Sequence, residues 1–354
     1  MKIFNVDQIQ NWDSFTILNE NISGIELMER AASAFVETFL HHIDFATVGT
    51  LHIFCGSGNN GGDGLAIARL LSYFPFKGIR VYHVMISKSC SADFHVNYSR
   101  LALIENVKIF SLEDLAFFPD ISVNDTIIDA IFGTGLRANV TGFAREIIIK
   151  INACQAKIWS VDLPSGLQVD KPTSSISIEA NHTVTFESPK LAFFIPDNFI
   201  RIGEWQIASI NLSESFYQFE PTKYNYINKK EILQLYKRRE RNANKWTCGH
   251  SLIIAGSSGK IGAAVLATRA CMRGGSGLVT ALVPEHGSSV LQIAAPEAML
   301  VSDENGLETG HLPMLAKYNA IAIGPGIGTS ENSLSVLGYS GDADPHSGDT
   351  DPPE

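Results

Sequence analysis

Residues 51–71, LHIFCGSGNNGGDGLAIARLL, begin as an apolar strand, pass through a glycine-rich turn and continue as a helix with periodic apolar residues. Gly56, Gly58 and Gly61 have the G-x-G-x-x-G spacing. Glycines at this spacing allow positive φ and let backbone N–H groups approach a ligand at a helix N-terminus. Because a plain strand-to-helix turn uses the same residues, the spacing alone leaves a purely structural reading open.

The polar residues of this segment disfavour an ordinary dinucleotide site. Asn59, Asn60 and Asp63 lie among the glycines, and a carboxylate beside a pyrophosphate costs roughly 1 kcal/mol at about 4 Å in water and more when buried. The acidic residue that would bind a ribose is also missing from the next strand, residues 79–86. Two amides and one acid suit a hydroxyl- or amide-bearing ligand, a monovalent cation or general-base chemistry.

Composition predicts a soluble cytoplasmic enzyme. The chain has 354 residues, 45% hydrophobic, which is enough for two α/β domains with separate cores. A net charge of −10 and a single basic run at 237–241 argue against nucleic acid as the main partner. The five cysteines form no C-x-x-C pair, and no apolar run is long enough for a signal peptide or a membrane span. We therefore expect reduced thiols and no membrane partner.

Strand-like runs alternate with helical ones in the first half. A helix is predicted from Ile22 to about His42, and the strands are predicted at 50–54, 79–86, 126–131, 157–161 and 182–186. This alternation is typical of a parallel sheet with helices on both faces. Ligands of such sheets bind at the carboxyl ends of the strands.

Two further polar turns follow predicted strands. Asp129 ends the strand before Gly133 and Gly135, and Asp162 ends the strand before Ser165. An aspartate at a strand end often only caps the following helix. With three such turns, we expect Asp63, Asp129 and Asp162 to converge on one cleft, where clustered carboxylates need a cation or a raised pKa.

These motifs resemble those of the NAD(P)H-hydrate epimerase family, the YjeF N-terminal domain. The resemblance rests on NNGGDG at 59–64, DAIFGTG at 129–135 and VDLPSG at 161–166, and it extends to LMERA at 27–31 and HTVTFESPK at 182–190. It covers about residues 1–215. It implies a three-layer αβα Rossmann-like domain that epimerises the R and S forms of hydrated NAD(P)H at C6.

The resemblance also implies roles for individual residues. Asp162 would contact the substrate and act as the proton-transfer group, and Asn60, Asp129 and Ser165 would ligate one K⁺ ion. The substrate-binding positions would be Asn59, Asn60, Gly61, Gly62, Asp63, Gly133, Thr134, Gly135, Leu136, Arg137, Ala138, Asn139 and Asp162. The substrate would be NAD(P)HX, and a homo-oligomer is compatible with this assignment.

The second half resembles the start of the ADP/ATP-dependent NAD(P)H-hydrate dehydratase, a ribokinase-like α/β domain. In that family Ala263 and Gly326 would touch the hydrate. The family domain is longer, so we expect an incomplete domain at 246–332, after a linker at 216–245 and before a disordered tail at 333–354. ADP or ATP would be a cofactor only if this part is functional.

Three functions are therefore considered. The first is an epimerase whose dehydratase part is inactive through truncation. The second is a bifunctional enzyme with epimerase and ADP/ATP-dependent dehydratase activities. The third is a non-catalytic nucleotide-binding scaffold, which is disfavoured because a scaffold has little reason to place three carboxylates in one cleft.

Overall fold

The computed structural model describes residues 1–87, 89–173, 175–303 and 315–329. The chain divides into two compact units, residues 1–233 and the residues from 234 onward. The expected tail at 333–354 lies outside the described residues. Among the helices that are described, none has the length and hydropathy needed to cross a membrane.

The first unit is built on a seven-stranded parallel sheet with the strand order β4-β3-β2-β5-β6-β7-β8. A separate antiparallel ribbon pairs β1 with β9. The elements of this part of the chain are β1 (Lys2–Ile3), α1 (Val6–Glu20), α2 (Gly24–Leu40), β2 (Leu51–Cys55), α3 (Asn59–Leu71), β3 (Ile79–Val84), α4 (Ala92–Leu101), β4 (Val107–Leu112), β5 (Thr126–Ala130), α5 (Gly142–Asn152), β6 (Lys157–Val161), β7 (His182–Phe186), α6 (Phe199–Ile202), β8 (Glu204–Ala208), α7 (Glu214–Phe219), β9 (Tyr224–Asn225) and α8 (Lys229–Leu235). Short 3-10 turns lie at Leu115–Phe117, Leu191–Phe194 and Pro196–Asn198.

Helices cover both faces of this sheet. Successive residues of β2 point to opposite faces, so Ile53 packs into one core while Phe54 packs into the other. The first core holds the apolar sides of α2, α3 and α4, and the second holds Ile147 and Ile151 of α5. The predicted three-layer αβα Rossmann-like arrangement is confirmed.

Helix α1 and the edge strands β4 and β8 were absent from the sequence prediction. A small third core joins α1 to the segment after β8, where Phe4 and Trp12 pack against Phe216 and Tyr217. Tyr224 and Asn225 pair with β1. The first part of the predicted linker is therefore packed onto the first unit.

The second unit contains a four-stranded parallel sheet with the order β12-β11-β10-β13. Its elements are β10 (His250–Ile254), α9 (Ile261–Gly274), β11 (Leu278–Pro284), α10 (Ser288–Ala294), β12 (Met299–Asp303) and β13 (Ala320–Ile323), with 3-10 turns at Glu285–Gly287 and Leu315–Lys317. Several large apolar side chains of this unit are exposed, including Leu266, Ile293 and Ile321. The predicted α/β class also holds here.

Candidate active site

A cleft of about 900 Å³ lies in the first unit, beyond the carboxyl ends of β2, β5, β6 and β7. Its wall includes residues from α1 and α2 and from the turn after β5. The sequence-predicted residues that line it are Asn59, Asn60, Asp63, Gly133, Thr134, Gly135, Leu136, Arg137, Ala138 and Asp162. Most of the predicted substrate-binding set is therefore brought together on one surface.

The other predicted residues are not among those lining this cleft. Gly61 and Gly62 pack inward instead, since a Cβ on Gly61 would lie 1.8 Å from the Gly56 carbonyl oxygen and one on Gly62 would lie 2.8 Å from Met28 Sδ. Asn139 lies just past the lining residues of its turn. Asp129 is fully buried, so the expectation that three carboxylates converge on one cleft is wrong for this residue.

The segment Asn59–Asp63 is helical, not a loop as the sequence suggested. Helix α3 begins at Asn59, and its N-cap Gly58 supplies no side-chain hydrogen bond. The first N–H groups of such a helix lack intrahelical partners, and the helix dipole favours negative charge there. Since Asn59 and Asn60 line the cleft, the N-terminus of α3, with its partial positive charge, lies at the cleft wall.

Asp162 is held at the end of β6 by an ion pair with Lys190. The Lys190 Nζ donates to Asp162 Oδ1 at 2.6 Å, and both side chains are largely shielded from solvent. The same oxygen accepts hydrogen bonds from Thr185 Oγ1 at 3.1 Å and the Phe186 N–H at 3.0 Å. Asp162 also has a φ of +64°, a left-handed conformation that is uncommon for residues other than glycine and is often found at functional sites.

Two further carboxyl groups of the cleft have raised pKa values. Burial is the main cause at Asp63, whose pKa lies well above the ordinary value, and the charge of Asp162 adds to it. Burial, followed by the charge of Asp162, raises the pKa of Asp13 to about 7, although Lys190 acts in the opposite direction. The cleft thus combines a paired carboxylate with two carboxyl groups that hold protons more strongly than usual.

Asp129 lies at the centre of a buried hydrogen-bond network. Its carboxylate accepts from Ser160 Oγ at 2.9 Å, the Ser165 N–H at 2.8 Å, Ser165 Oγ at 2.5 Å and the Ile131 N–H at 3.3 Å. Burial raises its pKa, while these hydrogen bonds act to lower it. The network fixes the turn after β5, because Ser165 Oγ also accepts from the Phe132 N–H at 2.8 Å.

Asn60 reaches the same turn from α3. A Cβ on Gly133 would lie 3.1 Å from the Asn60 side chain, and Asn60 Nδ2 is buried without a hydrogen-bond partner among the described residues. Amide, carboxylate and hydroxyl oxygens, here of Asn60, Asp129 and Ser165, are the ligand types that hard cations prefer. The oxygen atoms of this set fit a monovalent cation at the turn, whereas Asn60 Nδ2 is a hydrogen-bond donor and would need an acceptor instead.

Sequence reasoning missed two residues of this site. Lys190 belongs to a motif that carried the family resemblance, but nothing in the sequence paired it with Asp162. Asp13 lies on α1, whose buried residues are few and include a polar one, Thr16. The apolar periodicity that reveals other helices was therefore too weak to indicate α1.

The second unit brings Ala263 and Gly326 together. A Cβ on Gly326 would lie 2.9 Å from the Ala263 Cβ, and the Gly256 N–H donates to the Pro325 carbonyl at 2.8 Å. These turns follow β10 and β13, which are neighbouring parallel strands. The two residues that were predicted to contact the hydrate thus lie together at the carboxyl ends of these strands, where ligands of parallel sheets bind.

Comparisons with known proteins agree with this architecture. Residues 24–192 match the family model described as YjeF-related protein N-terminus, and residues 251–344 match the model described as NAD(P)H-hydrate dehydratase. The crystal structure of the yeast protein ynu0 superposes with a TM-score of 0.53 at 21% identity, covering 65% of this chain and 98% of that chain. That likeness shows the fold.

One relative, which the match covers almost completely, shows the family. The NAD(P)H-hydrate epimerase of Oenococcus oeni is 32% identical over 208 residues, which cover 58% of this chain and 95% of that protein. The bifunctional NAD(P)H-hydrate repair enzyme Nnr of Coxiella burnetii is 31% identical over 329 residues, and the match spans 90% of this chain but only 64% of that protein. The chain belongs to the NAD(P)H-hydrate epimerase family and carries, behind its epimerase domain, a region of the NAD(P)H-hydrate dehydratase family.

Proposed function

We propose that the first unit epimerises the R and S hydrates of NAD(P)H. The observation that carries this proposal is the cleft in which the N-terminus of α3 and the Asp162–Lys190 pair face the same space. The α3 N-terminus and the turn 133–138 would bind the pyrophosphate, since free N–H groups suit an anion. Arg137, an exposed side chain that pairs with Asp7 at 2.6 Å, would exchange this partner for a phosphate. The hydrated ring would then lie against Asp162.

The chemistry requires little more than positioned acids. The C6 carbon of the hydrated ring bears a hydroxyl group and is bonded to the ring nitrogen, so inversion needs one bond at C6 to break and form again with proton transfer. Asp162 carries a negative charge held by Lys190, which would stabilise positive charge that develops on the ring. No separate nucleophile is needed for such a reaction.

A K⁺ ion would be held by Asn60, Asp129 and Ser165. It would supply positive charge that offsets the acidic groups around the turn after β5. In the protein, Ser165 and Asp129 orient this turn through the Phe132 N–H and the Ile131 N–H. Asn60 would orient its amide oxygen toward the ion. We expect K⁺ to raise the thermal unfolding temperature of the native chain and to have less effect on Asn60→Ala.

The bifunctional function is supported better than an epimerase with an inactive second part. Seven relatives named as bifunctional NAD(P)H-hydrate repair enzyme match across both regions of the chain. The chain spans between 58% and 66% of the length of these relatives. We therefore propose a second activity, the dehydration of the hydrate driven by ADP or ATP, with Ala263 and Gly326 beside the hydrate. We also propose a cytoplasmic location.

Chromatography of the hydrate epimers tests the first activity. Purified R-NADPHX is mixed with the full chain in KCl, and the approach to the R/S equilibrium is followed. We expect the native chain to accelerate it and Asp162→Asn to lose at least 100-fold in kcat. The control is Asp120→Asn, which neutralises an exposed carboxylate outside the cleft. An Asp162→Asn variant as active as the native chain would refute the role of Asp162.

A second assay decides among the three functions. S-NADPHX is incubated with the full chain, Mg²⁺ and either ADP or ATP, and the return of dihydronicotinamide absorbance is measured. Recovery that needs the nucleotide supports the bifunctional enzyme. Epimerisation without recovery supports the epimerase alone. Binding of the hydrate with neither reaction supports the scaffold.

A further inference from the structure

Asp13 lies on α1 and lines the same cleft as Asp162 and Lys190. No hydrogen bond or ion pair joins its carboxyl group to any described residue. It differs in this from Asp162, whose Oδ1 accepts from three donors. An unpartnered carboxyl group at the cleft wall is available to a ligand in the cleft.

The neighbours of Asp13 on α1 hold it in place. Trp12 Nε1 donates to the Ser213 carbonyl at 2.9 Å, and Thr16 Oγ1 accepts from the Ser213 N–H at 3.0 Å. The Trp12 ring stacks on Phe216 and Tyr217, with centroid distances of 6.1 Å and 5.5 Å. These contacts are made by residues on either side of Asp13, so its position does not depend on its own carboxyl group.

The charges around Asp13 come from several elements. Asp13 interacts electrostatically with three titratable groups of the cleft: Asp162 after β6, Lys190 after β7 and Asp63 on α3. The other titratable groups that line the cleft are Cys90, Asp93, Arg137 and Glu187. Burial and Asp162 together raise the pKa of Asp13 to about 7, so it exchanges its proton near neutral pH. Asp162, in contrast, is paired with Lys190 Nζ at 2.6 Å.

We propose that Asp13 is the catalytic group that carries the proton in C6 epimerisation, a role that rests on the proposed function. Protonated Asp13 donates its proton to the C6 hydroxyl, the C6–O bond breaks, and water leaves. The ring nitrogen lone pair forms the N1–C6 double bond, and Asp162 stabilises the resulting positive charge. Water then adds to the opposite face of C6, the double bond electrons return to nitrogen, and the proton released returns to Asp13.

The assignment follows from a division of roles between the two carboxyl groups. A general acid must be protonated before the step and must accept the proton afterwards, and it works best when its pKa lies near the working pH. A carboxylate paired with a buried lysine is poorly suited to that exchange but well suited to stabilise a cation. The sequence resemblance assigned proton transfer to Asp162, whereas Asp13 performs it in this proposal.

The test compares kcat against pH for the native chain, Asp13→Asn, Asp13→Glu and the control Glu20→Gln. Glu20 lies at the end of α1 and pairs with Arg30 outside the cleft. We expect an inflection near pH 7 in the native chain and in Glu20→Gln. In Asp13→Asn, kcat should fall by about 100-fold and the inflection should disappear from the pH profile. Its affinity for the hydrate should change by less than about threefold. Asp13→Glu should regain part of the rate with a displaced inflection.

Each result decides a specific point. A native chain that does not epimerise the hydrate refutes the proposed function itself. An active native chain with Asp13→Asn within threefold of its kcat, or with the same inflection, refutes the role of Asp13 alone. If Asp13→Asn does not fold, Asp13→Glu decides, because superimposable pH profiles of Asp13→Glu and the native chain would contradict proton transfer by this residue.

Discussion

Asp13→Asn is expected to stabilise the first unit at alkaline pH while it impairs the reaction. The folded protein raises the pKa of Asp13 from 3.8 to about 7. Between these values the folded chain holds a proton that the unfolded chain has released, so the free energy of unfolding falls by about 1.4 kcal/mol for each pH unit. Asparagine does not titrate and avoids this loss.

The magnitude follows from the size of the shift. About three pKa units correspond to about 4 kcal/mol above pH 7. Water in the open cleft screens part of this cost, so we expect Asp13→Asn to be more stable than the native chain by about 2–4 kcal/mol at pH 8. At pH 4 both side chains are neutral, and the two proteins should have nearly the same free energy of unfolding.

Urea denaturation at pH 4, 5, 6, 7 and 8, followed by circular dichroism, measures this difference. Asp120→Asn is the matched control, because it removes an exposed carboxylate from the same unit. The reasoning fails if the advantage of Asp13→Asn does not change with pH, or if it grows toward acid. In either case Asp13 would have an ordinary pKa, and burial in the cleft would not have raised it.

Two further predictions concern the cleft wall. Gly61→Ala should lower the free energy of unfolding by about 3 kcal/mol or more, because its Cβ would lie 1.8 Å from the Gly56 carbonyl oxygen. In the control Gly58→Ala, the new Cβ has no atom within 4 Å, so the loss should be less than about 1 kcal/mol. Equal urea midpoints for the two variants would contradict this. Lys190→Met should cost about 3 kcal/mol because it leaves the Asp162 carboxylate without its cation, and an unchanged midpoint with unchanged kcat would show that the pair contributes neither stability nor charge stabilisation.

The central strands of the sheet could be predicted closely from the sequence, and the edge strands could not. Strands β6 and β7 begin and end where the apolar runs predicted. β4 and β8 lie at the two edges of the sheet and carry exposed polar residues such as Lys108 and Glu204. An edge strand is only partly buried, so polar residues interrupt its apolar run. Its sequence pattern therefore resembles that of a loop.

The site was predicted where glycines and acids mark the ends of strands, and it was missed where contact depends on tertiary packing. Asn60, Asp63 and Asp162 were indicated by their own turns. Asp13 reaches the cleft only because α1 folds back onto the segment around Ser213, some 200 residues later in the chain. The argument that Asp63 would repel a pyrophosphate assumed a charged carboxylate, whereas burial raises the pKa of Asp63 and favours its neutral form.

The packing of Trp12 provides an optical probe of the cleft. Its indole is buried, lines the cleft and precedes Asp13, and its N–H is bonded to a carbonyl group of the same unit. Trp159, by contrast, stacks on His182 with a centroid distance of 4.3 Å and does not line the cleft. Ligand binding in the cleft should change the fluorescence emission of Trp12, so the affinity of the native chain for each hydrate epimer can be titrated without covalent labelling. A Trp12→Phe variant would identify the source of the signal.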